Sequence, residues 1–399
     1  MTQNERPYTR SHPWLSFTLD LRELPTAVWI MLGEAASKVE HVAGMPLKPR
    51  VAVRLHNLYL AKGALATTAI EGNTLTEDEV LRRLDGDLEL PPSREYLGIE
   101  IDNVVSACGE IWAQLEASGP EPLSASALER FNAAVLKDLK LEEGVIPGQV
   151  RNHPVVVARY RGAPAEDCRY LLDQLCTWLE GPAFSGEGLS GEMVVALPII
   201  RAVVAHLYLA WIHPFGDGNG RTARLVEFQL LLRAAFPTPA AHLLSNHYNQ
   251  TRSDYYRHLD QATRPGGVAA FIQYAVRGLV DGLREQIGAI RAQQMELAWN
   301  DYVAETLRGA GSVRDRRRKL VLALSNKTVA AKGIPDLTPE LARLYAAKTG
   351  KTLSRDLNAL VGLNLVVAKG GLYSARTELI SAFLPGRRKG PAGAEKPGG

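Results

Sequence analysis

A histidine, an aspartate, a Gly-Asn-Gly turn and two arginines share one short run of this chain, HPFGDGNGRTAR at 213–224. The residues that follow, TARLVEFQLLLRAAF, carry apolar side chains at helical spacing, which predicts a helix starting near Arg221. The glycines then stand where the chain turns into a helix N-terminus, whose first N–H groups lack partners within the helix and can hold an anion. Gly218, Asn219 and Gly220 permit positive φ and close backbone approach, and Thr222 and Ala223, which continue the run, are candidate ligand-binding positions with them. Arg221 and Arg224 lie on one face of that first turn, where positive side chains oppose the helix dipole unless an anion is present. The natural guest is phosphate. His213 sits at the loop edge and reads as a general base, since an imidazole titrates near neutrality; a structural or metal-ligating histidine is the other reading. Asp217 can hold a hard cation such as Mg²⁺, which takes one or two protein carboxylates and completes its shell with water and phosphate oxygens. Phe215 reads as an apolar plug that packs the loop on the core.

The frame for these residues is mostly helical. Residues 24–69 predict two helices separated by the breaker MPLKP, and Thr76 with Glu79 has capping-box spacing at the start of another. Further helices are expected at 95–117, 124–140, 165–179 and 192–212, the last leading straight into the motif. SDYYRHLDQA and the long stretch from Val268 to Leu297 read as helices again. Between the helices at 124–140 and 165–179, VVVARYR at 155–161 is β-branched and framed by Gly and Pro, the pattern of a short hairpin. Residues 1–20 read as loosely ordered. After about residue 300 the order helix, turn, helix, then LVVAKGGLYSA as a two-stranded wing is that of a winged helix. The domain expectation is an N-terminal helical region at 1–90, a core at 91–297, a winged-helix-like domain at 298–385 and a disordered Gly/Pro-rich tail at 386–399.

Of 399 residues, 46% are hydrophobic and 22% charged, with a net charge of +3, ordinary for a globular protein and too slight by itself to imply a polyanionic partner. Cys108, Cys168 and Cys176 form no CxxC pair and favour a reducing compartment. The N-terminus lacks an apolar h-region, and the apolar run around 194–212 is broken by Pro198, Arg201 and His206, so neither a signal peptide nor a membrane span is expected. The expected location is cytoplasmic. His242 and His247 have no further ligand spacing around them that would suggest a metal site.

The run at 213–224 resembles the Fic family pattern HxFx(D/E)GNGRxxR at every defined position, and TTAIEGN at 67–73 resembles that family's inhibitory pattern (S/T)xxxE(G/N) with Thr67, Glu71 and Gly72. The resemblance spans roughly residues 15–290. It implies an all-α core with a β-hairpin flap and transfer of AMP from ATP, with Mg²⁺, to a Ser, Thr or Tyr hydroxyl of a protein. His213 would deprotonate that hydroxyl and Asp217 would hold Mg²⁺. Gly218 to Gly220 would cradle the phosphates through backbone N–H groups and the Asn219 side chain, and Arg221 and Arg224 would neutralise the outer phosphates. Glu71 would compete with the γ-phosphate for Arg224, making the chain autoinhibited from an N-terminal helix; taken alone, Glu71 and Gly72 also read as an ordinary helix end and its C-cap. Tyr255 and Tyr256 match positions that line the nucleotide pocket, although aromatics at helical spacing also read as core. The hairpin would register a target segment by main-chain hydrogen bonds. Implied partners are a protein with a target hydroxyl, the chain itself as a target, and a second copy as a homodimer. The alternatives are removal rather than addition of AMP, and a nucleotide-sensing DNA-binding module. For the last, Lys348, Lys351 and Arg355 offer phosphate contacts, whereas the apolar positions Leu353, Leu357, Leu360 and Val361 favour packing or protein docking.

Overall fold

The computed structural model describes residues 6–157, 160–185 and 191–381. The chain divides into two units, Met1–Ile287 and Gly288–Gly399. In chain order the first holds α1 (Tyr8–Ser11), α2 (Thr26–Ala43), α3 (Pro49–Ala69), α4 (Glu77–Leu84), α5 (Glu95–Ser118) and α6 (Ala125–Val135). A two-stranded antiparallel hairpin follows, β1 (Val156–Val157) and β2 (Tyr160–Arg161), with Val156 opposite Arg161. Then come α7 (Ala165–Leu179), α8 (Gly191–Ile212), α9 (Asn219–Arg233), α10 (Thr238–Ala241), α11 (Leu243–Gln250), α12 (Arg252–Gln261) and α13 (Gly267–Thr306), within which the division falls.

The two helices that flank the motif are the centre of the first unit. From Ala196 to Ile212, α8 buries apolar residues on every face, and α9 is buried from Arg221 to Leu232. A helix that is apolar all round belongs inside a core, and α8 and α9 pack on each other there. The loop between them is held by two anchors. Phe215 is buried in that core, and its backbone bridges to Val150 in the segment before the hairpin. Helices from both sides of residue 90 contribute to this one core: Val28 and Leu32 of α2, Ala61 and Ala64 of α3, Ile101 of α5 and Leu128 of α6.

Local signals explain several element starts. Thr76 caps α4 with Glu79 returning to its N–H, both halves of a capping box. Ser124 accepts from Ala127 N–H at the start of α6. The helix expected from Arg221 starts two residues earlier, at Asn219, because Gly218 at φ 73° is the left-handed cap that turns the chain. Residues 6–20, expected to be loose, are laid against the core instead. His12 and Leu15 are buried, Tyr8 N–H donates to the Asp167 carboxylate at 2.8 Å, and His12 Nε2 lies 2.9 Å from the Arg161 carbonyl of β2.

The second unit contains α14 (Ser312–Ala323), β3 (Thr328–Ala330), α15 (Pro339–Tyr345), α16 (Gly350–Gly362), β4 (Val366–Lys369) and β5 (Leu372–Ala375). Its antiparallel sheet has the order β3-β5-β4. Leu320, Leu341, Leu357, Leu360 and Leu365 form its separate core. The buried Asp356 accepts from Arg316 Nε at 2.7 Å, Arg317 Nε at 2.8 Å and the Tyr345 hydroxyl at 3.0 Å. The tail expected to be disordered, 386–399, lies outside the described residues.

Truncating the plug tests how far the motif loop depends on the core. Phe215→Ala should lower the unfolding free energy of the first unit by about 3–5 kcal/mol, read from urea unfolding, whereas a loss below about 1 kcal/mol would place the loop's anchorage elsewhere.

Candidate functional site

The motif loop closes on itself before it can face a ligand. Asn219 Oδ1 accepts from Phe215 N–H at 2.9 Å, and its Nδ2 donates to the Phe215 carbonyl at 2.8 Å. The Asn219 side chain is therefore turned inward, and the expectation that it faces phosphates is corrected: its amide spans the loop and satisfies buried backbone groups. Thr222 is likewise structural, its hydroxyl accepting from Asn132 Nδ2 at 3.3 Å, and Ala223 is buried. What the loop presents is backbone. Gly218 offers no side-chain cap to α9, so the first N–H groups of that helix face whatever anion lies over the turn.

That anion belongs to the chain. Glu71 Oε1 sits so close over Gly220 that a Cβ built on Gly220 would lie 2.1 Å from it, and 3.1 Å from both Nη atoms of Arg224. Glu71 stands just past the end of α3, where Gly72 at φ 108° turns the chain. Arg224, only 2% exposed, donates from Nη2 to Glu71 Oε1 and to the Thr67 carbonyl, the latter at 2.9 Å. Two more side chains hold the same helix end: Arg252 donates to the Ala69 carbonyl and the Tyr256 hydroxyl to the Ile70 carbonyl, both at 3.3 Å. Thr67, Glu71 and Gly72 are thus gathered with Gly220 and Arg224.

The electrostatics single out this pair. Behind Arg224 lies a buried polar network in which Tyr248 donates to Glu227 at 2.8 Å and the Tyr255 hydroxyl meets His206 Nε2 at 2.9 Å. Burial pushes the Glu227 carboxyl up to about 8, against its hydrogen bond and the Arg224 charge, so it is mostly neutral at pH 7. Burial and the Arg224 charge together push His206 down to about 3, leaving it neutral as well. Glu71 is the ionised partner that remains. Burial opposes its ionisation, but the Arg224 charge and hydrogen bond, helped by Arg221 and His213, outweigh that and hold it below the usual carboxylate range.

The remaining motif residues line the same opening. Arg221 is buried, donating from Nη1 to Glu100 at 3.1 Å and from Nη2 to Asp217 at 3.3 Å. Nε of Arg221 and of Arg224 has no hydrogen-bond partner among the described residues. The Asp217 side chain is 50% exposed and open to solvent. Two arginines at a helix N-terminus beside an outward carboxylate suit a phosphate with its counter-cation. His213 is half-buried with φ 51°, and burial followed by the Arg151 charge pushes its imidazole down to about 4, so it is neutral and able to accept a proton. Of the two tyrosines, Tyr256 is 44% exposed at the end of α3, whereas Tyr255 is buried against Tyr248 and reaches the region of Arg224 from the core side.

Three contributors escaped the motif reading. Glu100 of α5 takes Arg221 on one oxygen and Asn73 on the other, the latter at 2.8 Å, and so joins the phosphate turn to the segment just after Glu71. Asn132 of α6 donates to the Asp217 carbonyl at 2.9 Å. Arg151 grips the backbone of His213. Periodicity could not reveal them, because each meets the motif from a distant element. His242 stacks on Phe228 and His247 lies tilted against Tyr274, and no group of three His, Cys, Asp or Glu residues among the described residues is arranged to hold a metal. Likewise no helix there is long and apolar enough to cross a membrane.

Comparison with known proteins agrees with this geometry. The Fic/DOC family model matches residues 122–231, which run from before α6 into α9 and so include the hairpin and the motif loop. The protein adenylyltransferase fic-1 of Caenorhabditis briggsae is 28% identical over 226 residues, 56% of this chain and 41% of that protein. The protein adenylyltransferase Fic of Nematostella vectensis is 36% identical over 135 residues, 31% of this chain and 28% of that protein. The chain thus spans well under half the length of these curated relatives. In fold it is similar to a Fic family protein from Desulfovibrio desulfuricans, with a TM-score of 0.54 at 19% identity, covering 88% of this chain and 96% of that one. It is also similar to Fic-1 of Caenorhabditis elegans, with a TM-score of 0.54 at 23% identity over 67% of this chain and 74% of that one. The chain therefore carries a domain of the Fic/DOC family, residues 122–231.

Proposed function

We propose that this chain is a protein adenylyltransferase that moves AMP from ATP to a Ser, Thr or Tyr hydroxyl of a protein, and that Glu71 holds it inactive. The observation that carries the reading is the Glu71 carboxylate seated over Gly220 on the Arg224 guanidinium, the place and partner that suit a phosphate. Relatives named protein adenylyltransferase supply the reaction class.

In this reading the neutral His213 imidazole takes the hydroxyl proton as the oxygen forms its bond to the α-phosphorus. The bond from that phosphorus to the bridging oxygen breaks, and pyrophosphate leaves. Arg221 and Arg224 stabilise the charge that builds on the leaving phosphates, and the N–H groups at the start of α9 orient them. Asp217 would hold Mg²⁺ with water and phosphate oxygens, and the cation would neutralise part of the same charge. The edge of the β1–β2 hairpin would register the target segment beside His213. Glu71 opposes all of this by occupying Arg224 first.

The element order of the second unit supports a winged-helix-like domain. We assign it to protein docking rather than to DNA. Arg316 and Arg317, the centre of its basic run, are tied to the buried Asp356, and Lys319 pairs with Asp315 and Glu340. Those charges are compensated within the unit, although Lys348, Lys351 and Arg355 remain exposed on and beside α16.

Three outcomes are expected. Glu71→Gly should raise self-labelling from α-labelled ATP by at least about tenfold, and His213→Ala in that background should abolish it; equal labelling with and without Glu71 would remove the inhibitory assignment. Because the base stays neutral until the pH approaches about 4, single-turnover labelling by Glu71→Gly should be flat from pH 8 to about 6 and fall only in more acidic buffer. An acid limb centred near 6.5 would contradict His213 as the depressed base. In gel shifts, random duplex DNA should be bound weakly and equally by the full chain and by a Lys348→Glu, Lys351→Glu, Arg355→Glu variant. Salt-sensitive binding that the triple variant loses would assign the unit to nucleic acid.

A further inference from the structure

Arg151 precedes the hairpin in sequence and reads there as one more polar residue of a Gly/Pro-rich loop. In the structure it is buried, and its three side-chain hydrogen bonds all go to carbonyls. Nε donates to His213 at 2.7 Å, Nη1 to His153 at 2.6 Å and Nη2 to Ala163 at 2.5 Å. His153 lies just before β1 and Ala163 just after β2, so one guanidinium ties both ends of the hairpin to the backbone of the candidate base. Its own N–H adds a bond to the Pro214 carbonyl at 2.9 Å, and Ala163 N–H donates to Ile212 at 3.2 Å. No carboxylate pairs with Arg151 among the described residues. A buried cation held by carbonyls alone is costly, which asks for a role beyond packing.

The fit around it is close. A Cβ built on Gly162, at the end of β2, would lie 2.9 Å from Arg151 Nη2 and 3.0 Å from His213 Cβ. Glycine is what lets the hairpin, the guanidinium and the histidine meet. His213 needs such a grip, since its φ of 51° is one that residues with a Cβ rarely adopt.

We propose that Arg151 is a positioning residue: it locks the left-handed backbone of His213 to both ends of the β1–β2 hairpin, so that the base and the strand edge that registers the target hold one fixed geometry. The inference rests on the transferase reading for its purpose and on the hydrogen bonds for its mechanism. The Arg151 charge also keeps a proton off His213. The other charges that face the imidazole are Glu71 at the end of α3 and Asp217 of the loop, which act in the opposite sense. Around Arg151 itself stand Glu166 and Cys168 of α7 and Tyr160 of β2.

The test uses the full chain in the Glu71→Gly background with Arg151→Gln, Arg151→Lys and Gly162→Ala. His213 is followed by NMR of labelled imidazole, assigned with His213→Ala, and labelling is measured against ATP concentration. Arg151→Gln should let the His213 pKa rise toward its ordinary value near 6.5, while Arg151→Lys should keep it low. All three should lower kcat on the order of tenfold to a hundredfold with KM for ATP unchanged, because Arg151 does not touch the phosphate turn. Amide exchange of Gly162 and Ala163 should speed up in the two Arg151 variants. If Arg151→Gln fails to fold, Arg151→Lys and Gly162→Ala still report. An unmoved His213 pKa in Arg151→Gln, or kcat equal to the background in Arg151→Lys and Gly162→Ala, overturns the inference. Absent labelling in the Glu71→Gly background itself, with the NMR shifts as expected, overturns the transferase reading and leaves the positioning role standing.

Discussion

A buried guanidinium whose one ionised partner among the described residues is Glu71 is the constraint on which this site depends. Arg224 sits at the start of α9, against the helix dipole and inside the core, while burial keeps Glu227 and His206 beside it neutral. Such a charge is costly unless an anion lies against it. The chain meets the requirement with Glu71, carried on the carbonyl end of α3, where a carboxylate is itself unfavourable. Two placements that are poor alone become favourable together. Arg224, Arg252 and Tyr256 also satisfy carbonyls of the same helix end, so the position of α3 and the charge state of the phosphate turn are one problem.

The rest of the first unit serves that arrangement. α8 and α9 are buried on all sides and fix the two ends of the motif loop, and Phe215 and Asn219 close it from within. Glu100 and Arg151 then join the loop to its two neighbours. Glu100 reaches the segment just after Glu71 through Asn73, and Arg151 reaches the two ends of the hairpin through the His153 and Ala163 carbonyls.

Much of this was legible in the residues, for physical reasons. Periodicity and caps are local, so the helix at 165–179, the Thr76–Glu79 capping box and the hairpin around Val156 could be read directly. The pairing of Glu71 with Arg224 was legible only through the family resemblance, since Glu71 and Gly72 taken alone read as an ordinary helix end and its cap. Arg151, Glu100 and Asn132 were not legible, since their partners are distant in sequence and no spacing rule links them. Asn219 misled in another way: a side chain four residues from Phe215 can serve the loop's own backbone as readily as a ligand. Residues 6–20 have little periodicity, and they are ordered by contacts with α7 and β2 that a local reading does not contain.

The carbonyl end of α3 carries one more consequence. In the proposed reading Glu71 is a tethered ligand, and its strength as a rival is an effective concentration set by how freely the last turn of α3 can move. For a short tether that concentration falls in the millimolar range, so an anion from solution competes on terms fixed by the tether rather than by the phosphate turn. A partner that stiffens or frays this one turn would therefore retune the response to nucleotide without touching any residue that binds it.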